Sequence, residues 1–400
     1  MSSIKSWLVN PPHWILWLLR TFWPIPRLFG WASVFRYEHV ANVLTRHDIF
    51  KVPFDKEIAR LNDGHAPGTP FILGIDDTGA HDAQLALVMR AFKREDVPKI
   101  VVPICRAATA RRIPGAPGEF DAIQDLVTAV PLDICEEYYG VPISDRQRFA
   151  YATIDVSGHL FGPPPIEPKA EIDKAADYVR EIVDAAIQKE MNGQAPPQPW
   201  DTIVKILVLM HKKVPPELSY EEIRAFLIGM IVGFVPTNTM AGGHILEMLL
   251  RKPKFMQASR EAALQGDDDL LQHCLFEAMR WMPLNPGPFR ICDRDYVVAA
   301  DTRRAATIRK GTKVLASTMS AMFDCRQVKH PFKFDPARPA SDYMLFGYGI
   351  HWCVGLFIAR AQIVETFKPL LKRGMRRAPG ERGKLKLRGT FPDHLFVEVD

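Results

Sequence analysis

The sequence lacks paired cysteines, a strong net charge and a nucleotide-binding glycine motif. Its six cysteines include no Cys-x-x-Cys pair and no secretory pattern precedes them, which argues against a disulfide framework and favours a reducing cytoplasm. The net charge of +5 is too small to indicate nucleic-acid binding. No Gly-x-Gly-x-x-Gly motif stands between a strand and a helix, so nothing indicates a flavin or nicotinamide site of that type.

The N-terminus lacks an apolar run long enough to cross a membrane, although it is rich in tryptophan. Five of the eight tryptophans lie within residues 1–31, but the apolar run 14–19 is far shorter than the ~20 residues of a spanning helix. Either these tryptophans pack on the domain, or the segment is peripheral, because aromatic and basic residues together suit an interface with a membrane surface. We treat residues 1–30 as this Trp-rich segment.

Residues 225–246 also lack Asp, Glu, Lys and Arg, and their length alone would permit a span. The centre of this stretch holds Gly233, Pro236, Thr237 and Asn238, which weaken a helix or are polar. We therefore predict a helix buried inside a soluble protein, with a functional interruption at its centre and no transmembrane span.

The remaining sequence has ordinary globular composition, with 47% apolar and 24% charged residues. Most of it shows helical patterns, and the Ser219-x-x-Glu222 capping box predicts the start of a helix over 220–250. Short strand-like runs follow Pro283, at 296–299, 306–309, 313–316 and 395–399. The sequence thus predicts a mainly α fold with a minor β portion, with residues 31–400 as a single domain.

One glycine-rich loop carries the strongest chemical signal, because it ends in Cys353 just before a predicted helix. Gly347 and Gly349 permit backbone conformations closed to other residues, and free N–H groups at a helix start stabilise a thiolate. No base and no further cysteines accompany Cys353, which disfavours a nucleophile or a cysteine-only metal site. A single thiolate suits a planar metallo-cofactor with one protein ligand, as in haem with a cysteine ligand.

This loop resembles the haem-binding loop of the cytochromes P450, the haem-thiolate monooxygenases. The resemblance extends from about residue 30 to the C-terminus and implies a triangular helical domain with small β-sheets. It also implies haem b (iron protoporphyrin IX), with Cys353 as the axial ligand of the iron. The matching positions of the loop are Phe346, Gly347, Gly349, His351, Cys353 and Gly355.

Further family landmarks follow in the expected order. Glu277 and Arg280 match a Glu-x-x-Arg motif, and Arg338 lies in a segment that resembles the source of the third member of a buried Glu–Arg–Arg network. The resemblance implies that Arg290, His81 and His351 contact haem propionates. The family usually has a basic residue four positions after the first of these histidines, whereas this chain has Leu85.

The central helix departs from the family's oxygen-activating turn, which reads small-Gly-x-acid-Thr. Spacing aligns that turn with Gly233 to Asn238, so that Thr237 takes the place of the alcohol, Pro236 that of the acid and Phe234 that of the second glycine. Proline cannot carry a proton, and it removes one helical hydrogen bond, which predicts a local opening of the helix. Thr237 and Asn238 would then order water in the distal pocket.

Three functions remain open at this point. The first is a monooxygenase that inserts one oxygen atom from O2 into a small apolar organic substrate, with electrons from a ferredoxin or flavodoxin and its reductase. The second is a peroxygenase or hydroperoxide-rearranging enzyme, and the third is a haem-binding sensor or electron carrier. The predicted pocket residues are Phe71, Ile72, Leu73, Phe161, Phe234 and Phe289. A basic set that could attract an acidic electron donor is Arg106, Arg111, Arg112, Lys368, Lys372 and Arg373.

Overall fold

The computed structural model describes residues 11–63 and 68–400, and helices dominate it. The α-helices are α1 (His13–Phe22), α2 (Tyr37–Thr45), α3 (Asp55–Asp63), α4 (Thr78–Ala91), α5 (Val102–Arg112), α6 (Ala129–Ile134), α7 (Arg146–Leu160), α8 (Ala170–Met191), α9 (Ile203–His211), α10 (Tyr220–Arg251), α11 (Pro253–Gln265), α12 (Asp268–Trp281), α13 (Thr318–Ala321) and α14 (Leu356–Arg373). π-Helical turns precede α5 (Val97–Val101) and flank α6 (Ala122–Thr128 and Cys135–Tyr139), and single 3₁₀ turns cover Ile72–Gly74, Ala340–Asp342 and Gly349–His351.

The strands are short and form small sheets. They are β1 (Arg27–Leu28), β2 (Trp31–Val34), β3 (Phe50–Lys51), β4 (Gly118–Asp121), β5 (Phe289–Cys292), β6 (Tyr296–Val298), β7 (Ala306–Ile308), β8 (Lys313–Ala316), β9 (Met375–Arg377), β10 (Lys386–Arg388), β11 (Phe391–His394) and β12 (Phe396–Val399). The largest sheet has the order β1-β2-β8-β5-β3, in which β2 and β8 are parallel and the other pairs are antiparallel. The other sheets are β4-β12-β9, β6-β7 and β10-β11.

Helix α10 forms the centre of the larger hydrophobic core. Its start is the predicted capping box, confirmed by two hydrogen bonds: the Glu222 N–H donates to Ser219 Oγ at 3.1 Å, and the Ser219 N–H donates to a Glu222 carboxylate oxygen at 2.7 Å. This helix is long and apolar enough to cross a membrane, but 89% of its most apolar window is buried inside the protein. It is therefore the core helix that the sequence predicts.

Two features of the fold differ from the sequence-based expectations. Helix α10 runs from Tyr220 to Arg251 without the interruption expected at Pro236. The sequence patterns also predict strands only where β6, β7, β8 and β12 form, and they miss the other eight. β4 and β9, for example, form by pairing with β12, and pairing between distant segments leaves no local signal in the sequence.

Candidate functional site

One face of α10 borders an open space inside the protein. Between residues 225 and 246 every residue is buried except Gly233 and Thr237, which are one helical turn apart and therefore share a face. A Cβ atom added at Gly233 would meet no atom within 4 Å, whereas one added at Gly229 would lie 2.4 Å from the Phe71 ring. The predicted oxygen-activating turn thus presents Gly233 and Thr237 to this space.

The turn around Pro236 remains helical. Thr237 Oγ1 donates to the Gly233 carbonyl at 2.5 Å, and Asn238 Nδ2 donates to the Phe234 carbonyl at 2.8 Å. These side-chain hydrogen bonds supplement the backbone ladder in the turn where proline has no N–H to donate. The buried Asn238 amide is thus held on its own helix, and Thr237 is the polar group that faces the open space.

Cys353 lies in a tight loop that begins at Phe346. The Cys353 N–H donates to the Phe346 carbonyl at 2.8 Å, and the Phe346 ring packs against Phe276. Gly347 and Gly349 have φ of 82° and 75°, and Cβ atoms added there would lie 2.7 Å and 2.6 Å from backbone oxygens. Only glycine fits both positions, because the left-handed conformation and the close approach exclude a side chain.

The environment of Cys353 favours a partner with positive charge. Burial raises the pKa of the thiol, and the backbone N–H groups of Gly355 and Leu356 only partly offset this. The N–H groups at the start of α14 lower the pKa of the thiol, as the sequence predicts. They do not lower it enough to ionise the thiol without a further partner. Part of Cys353 remains accessible, so a metal ion could reach the thiol, deprotonate it and bind.

Two histidines lie side by side and keep buried nitrogen atoms without a hydrogen-bond partner in the described structure. The His81 and His351 rings are 5.6 Å apart, edge to face, and the Nδ1 atoms of both are buried and unpaired. The nearest acidic oxygen to His81 Nδ1, on the exposed Asp82, is 3.6 Å away, too far for a hydrogen bond. His351 Nε2 pairs with Asp76 at 2.9 Å, a partner that the sequence patterns do not predict.

Arg290 adds a buried positive charge to the same cluster. It is 4% exposed, and within residues 11–63 and 68–400 it donates one hydrogen bond, to the Phe289 carbonyl. Burial lowers the pKa of Arg290 to about 10, an effect that the nearby Asp76 opposes. Burial also lowers the pKa of His351, and the charge of Arg290 adds to this effect. Buried donors that exceed their acceptors fit a bound carboxylate. The spare donors of Arg290, the unpaired His81 and the thiol of Cys353 therefore fit haem, with its two propionates and its iron. His351 donates its Nε2 proton to Asp76, so its Nδ1 donates to a propionate only when the ring is protonated.

The position of Leu85 differs from the family pattern, and the structure places it in the core. Leu85 is half-buried and packs against the main hydrophobic cluster. Phe92, at the end of α4, stacks on Phe226 with ring centroids 5.7 Å apart. Apolar packing therefore occupies the position where the family usually has a basic side chain.

The structure brings Glu277, Arg280 and Arg338 into one buried network. Glu277 Oε1 lies 2.7 Å from Arg280 Nε and 3.0 Å from Arg338 Nε, and each side chain is at most 1% exposed. Tyr343 donates its hydroxyl to Glu277 Oε1 at 2.9 Å, and the Asp335 N–H donates to Oε2 at 3.0 Å. Tyr343 is a member that the sequence patterns do not predict, because it joins through tertiary contact.

A small apolar cavity adjoins the open face of α10 and shares Gly233 with it. The predicted residues Leu73 and Phe161 lie in its wall. Four other predicted pocket residues do not: Phe71 packs against Gly229 and Phe226, Phe234 against Tyr139, Phe289 against Trp31, and Ile72 is in the core. The residues around the cavity are Ile58, Leu61, Asn62, Leu73, Val156, Leu160, Phe161, Ile228, Gly229, Val232 and Gly233.

Helical spacing could have identified part of this wall from sequence. Gly229 and Gly233 are four residues apart on α10, so they share a face, and Val232 and Ile228 are also four apart. Asn62 gives no comparable signal, because a single asparagine near the end of a helix is ordinary.

Most of the predicted basic set is paired within the protein. Arg106 pairs with Glu365, and Arg111 and Arg112 both pair with Asp133. Lys368 pairs with Asp268 at 2.6 Å. The positive field of this surface is therefore weaker than the sequence predicts, although Arg106 and Arg111 remain more than half exposed.

Comparisons with known proteins agree with this arrangement. The family model described as Cytochrome P450 matches residues 148–373. The chain is 26% identical to the mycinamicin IV hydroxylase/epoxidase of Micromonospora griseorubida over 63% of this chain and 59% of that protein. It is also 26% identical to the nocardicin C N-oxygenase of Nocardia uniformis subsp. tsuyamanensis over 85% of this chain and 81% of that protein. The ligand-free structure of the cytochrome P450 TbtJ1 superposes with a TM-score of 0.76 at 23% identity, and the match covers 98% of this chain and 99% of that one.

Proposed function

Because the chain belongs to the cytochrome P450 family, we propose that it inserts one oxygen atom from O2 into an apolar substrate that carries a hydrogen-bond donor. The chain is a haem-thiolate monooxygenase, and its cofactor is haem b. The observation that carries the proposal is the position of Gly233, which lies both on the open face of α10 and in the wall of the apolar cavity. Substrate and oxygen chemistry would therefore meet at one turn of the helix.

Each part of the site has a proposed task in that reaction. Cys353 would hold the haem iron, and Arg290, His81 and His351 would bind the propionates. When bound, haem supplies the activation of dioxygen. Thr237 would hold water against the open face of α10, and this water would carry the protons that Pro236 cannot supply. The cavity residues would exclude bulk water from the substrate.

The electrons come from a separate protein, as in bacterial members of the family generally. We propose a ferredoxin or flavodoxin with its reductase, and support comes from the net charge of +5 and the exposed Arg106 and Arg111. Lys372 and Arg373, at the end of α14, extend this basic surface. We place the protein in the cytoplasm, where such donors and reduced cysteines occur.

Reconstituted turnover tests this function, and the variant Thr237→Ala tests whether Thr237 couples NAD(P)H consumption to product formation. With added ferredoxin, reductase and NAD(P)H, we expect product from an apolar substrate at a rate above that with hydrogen peroxide alone. In Thr237→Ala we expect product per NAD(P)H consumed to fall by about tenfold, less than the 10² to 10⁴ of a direct proton donor because Thr237 acts through water. Paired measurements of NAD(P)H, oxygen and product give this ratio.

The matched control is Thr239→Ala, on the same helix. Thr239 is fully buried and bonds to Thr128 and to the Val235 carbonyl, so its loss should leave the ratio unchanged. Thr237→Ser should restore coupling. Equal coupling in Thr237→Ala and wild type would contradict the role of Thr237. Faster turnover with peroxide than with the reductase would instead favour peroxide chemistry, for which the replacement of the acid by Pro236 is the supporting observation.

Asn62 gives the cavity wall a polar anchor. Its Nδ2 donates to the Thr69 carbonyl at 3.0 Å, which fixes the amide, and its buried Oδ1 has no hydrogen-bond partner in the described structure. A buried acceptor without a partner is costly, so a substrate that donates an O–H or N–H here gains affinity. This is the basis for proposing a substrate with a hydrogen-bond donor.

The substitution Asn62→Leu tests this anchor. We expect it to weaken binding of a cyclic alcohol by about 1–3 kcal/mol, or roughly 5- to 150-fold, and to spare the corresponding hydrocarbon. Titrations that follow the substrate-induced change in haem absorbance would measure both ligands in both proteins. The anchor is excluded if wild type and variant discriminate equally between the alcohol and the hydrocarbon.

A further inference from the structure

Helix α1 buries an arginine and exposes aromatic side chains, which is the reverse of a normal surface helix. It buries Leu16 and Arg20, each 2% exposed, while Trp14 is 60% exposed and Phe22 68% exposed. Arg20 donates to the Ser320 carbonyl at 2.9 Å and to Ser320 Oγ at 2.8 Å. A helix that faces water alone should expose its arginine and bury its tryptophans.

The hairpin that follows α1 presents a second apolar group at its tip. Phe29 and Gly30 connect β1 and β2 with φ of 50° and 77°, both in the left-handed region. Phenylalanine rarely adopts such a conformation, and here its side chain is 96% exposed, next to Leu28 at 56%. The turn therefore holds a large apolar side chain outward, away from the sheet.

These residues form one N-terminal aromatic patch. The end of α1 and the hairpin both contact the short segment 304–307, because Arg304 donates to the Phe22 carbonyl and Arg27 donates to the Thr307 carbonyl. Of the fifteen large apolar side chains that are exposed in the described structure, seven lie in this stretch of sixteen residues. Such a concentration marks an interaction surface. The patch consists of Trp14, Trp17, Leu18, Phe22, Trp23, Leu28 and Phe29.

Positive charge borders the patch. Arg27, Arg303 and Arg304 are exposed, and none of them forms an ion pair within residues 11–63 and 68–400. Asp301 is the acidic residue in the same turn, so the border keeps an excess of positive charge. This charge complements an anionic surface.

We propose that the N-terminal aromatic patch docks the enzyme on the surface of a phospholipid bilayer that contains anionic lipid. Tryptophan and phenylalanine on one face of a helix, with arginine beside them, suit the boundary between headgroups and acyl chains. The tip at Phe29 protrudes, and a bilayer accepts a protrusion, whereas a protein partner would need a matching pocket. Docking buries the exposed aromatic side chains and does not require α1 to cross the membrane.

Co-sedimentation of the holoprotein with vesicles tests the proposal. We expect binding to phosphatidylcholine vesicles that contain about 30% phosphatidylglycerol, and weaker binding to pure phosphatidylcholine, by about fivefold for each contributing arginine. A blue shift of tryptophan fluorescence should accompany binding. The combined variant Trp14→Gln, Trp17→Gln, Phe22→Gln and Phe29→Asn should bind at least about tenfold more weakly. Asparagine is chosen at position 29 because it tolerates positive φ.

Two controls show whether the loss of binding is specific to the patch and whether the variants remain folded with haem bound. The variant Leu209→Ser with Val214→Ser removes exposed apolar side chains outside the patch, and it should bind like wild type. The thermal midpoint and the absorbance of the reduced carbonyl adduct should be the same in all variants, since the changed residues are exposed. The proposal is overturned if wild type does not sediment with either vesicle, or if the aromatic variant binds vesicles as well as wild type. A dimer in light scattering that the aromatic variant abolishes, together with no vesicle binding, would also overturn it and would indicate that a second copy covers the patch. None of these results depends on turnover.

Discussion

Replacing Cys353 by alanine is expected to abolish the red-shifted absorbance band of the reduced carbonyl adduct and to reduce product formation to the background of haem-free protein. The thiol sits in an enclosed loop, and no other cysteine or histidine is assigned to the iron. The thiolate is the ligand that promotes O–O cleavage, so a haem held without it lacks both the spectrum and the reactivity of this class. Absorbance spectra of the reduced protein with and without carbon monoxide measure the first effect.

Two further variants make the Cys353 result specific. Cys325 is exposed, and Cys325→Ala should leave the band and the turnover unchanged. Cys353→His keeps a metal ligand but removes the thiolate, so haem should still bind while the red-shifted band is lost. Retention of that band in Cys353→Ala would refute the assignment of the axial ligand and, with it, the proposed function.

Replacing Glu277 by glutamine is expected to lower the free energy of unfolding by about 3–5 kcal/mol. Glu277 pairs with both Arg280 and Arg338, and all three side chains are almost completely buried. Asp342 lies 3.5 Å from Arg338, so the variant removes the counterion of Arg280 in particular and leaves its buried positive charge unpaired. It also weakens the acceptor of the Tyr343 hydroxyl, whose pKa is raised by burial and by Glu277. The loss is large against the ~5–15 kcal/mol by which folded proteins are stable.

Urea unfolding and the rate of haem loss would measure this effect, with Glu381→Gln as the control. Glu381 pairs with Lys384 on the surface, where both side chains are more than two-thirds exposed, so its loss should change stability far less than the loss of Glu277. Equal losses for the two variants would show that the buried network contributes no more than a surface pair.

Contacts between residues that are close in sequence were predictable, because local backbone geometry determines them. Glu277 and Arg280 are three residues apart on α12, so they share a face, and Gly347 and Gly349 had to be glycine if the loop was to turn sharply before α14. The helix start at Ser219 followed from two side chains that satisfy each other's backbone groups. The predicted break at Pro236 was wrong, because most of α10 is packed in the core and Thr237 and Asn238 bond to the preceding turn.

The residues around the cavity were less predictable, because they come from elements far apart in the chain. Asn62 lies on α3 and Phe161 follows α7, and both meet α10 only after folding. An aromatic residue in a predicted pocket segment does not always line the cavity. Phe71 and Phe234 point away from it and pack on Gly229 and Tyr139.

Local spacing was enough to predict the glycine-rich loop at Cys353, the central helix with Thr237 and the pairing of Glu277 with Arg280, since each depends on residues within one or two turns of the chain. Packing of distant elements places Asp76 beside His351, turns Gly233 and Thr237 toward the open space, and leaves Trp14, Trp17 and Phe29 facing outward. No local pattern encodes these contacts, because the chemistry of a side chain is local whereas its neighbours come from other parts of the chain.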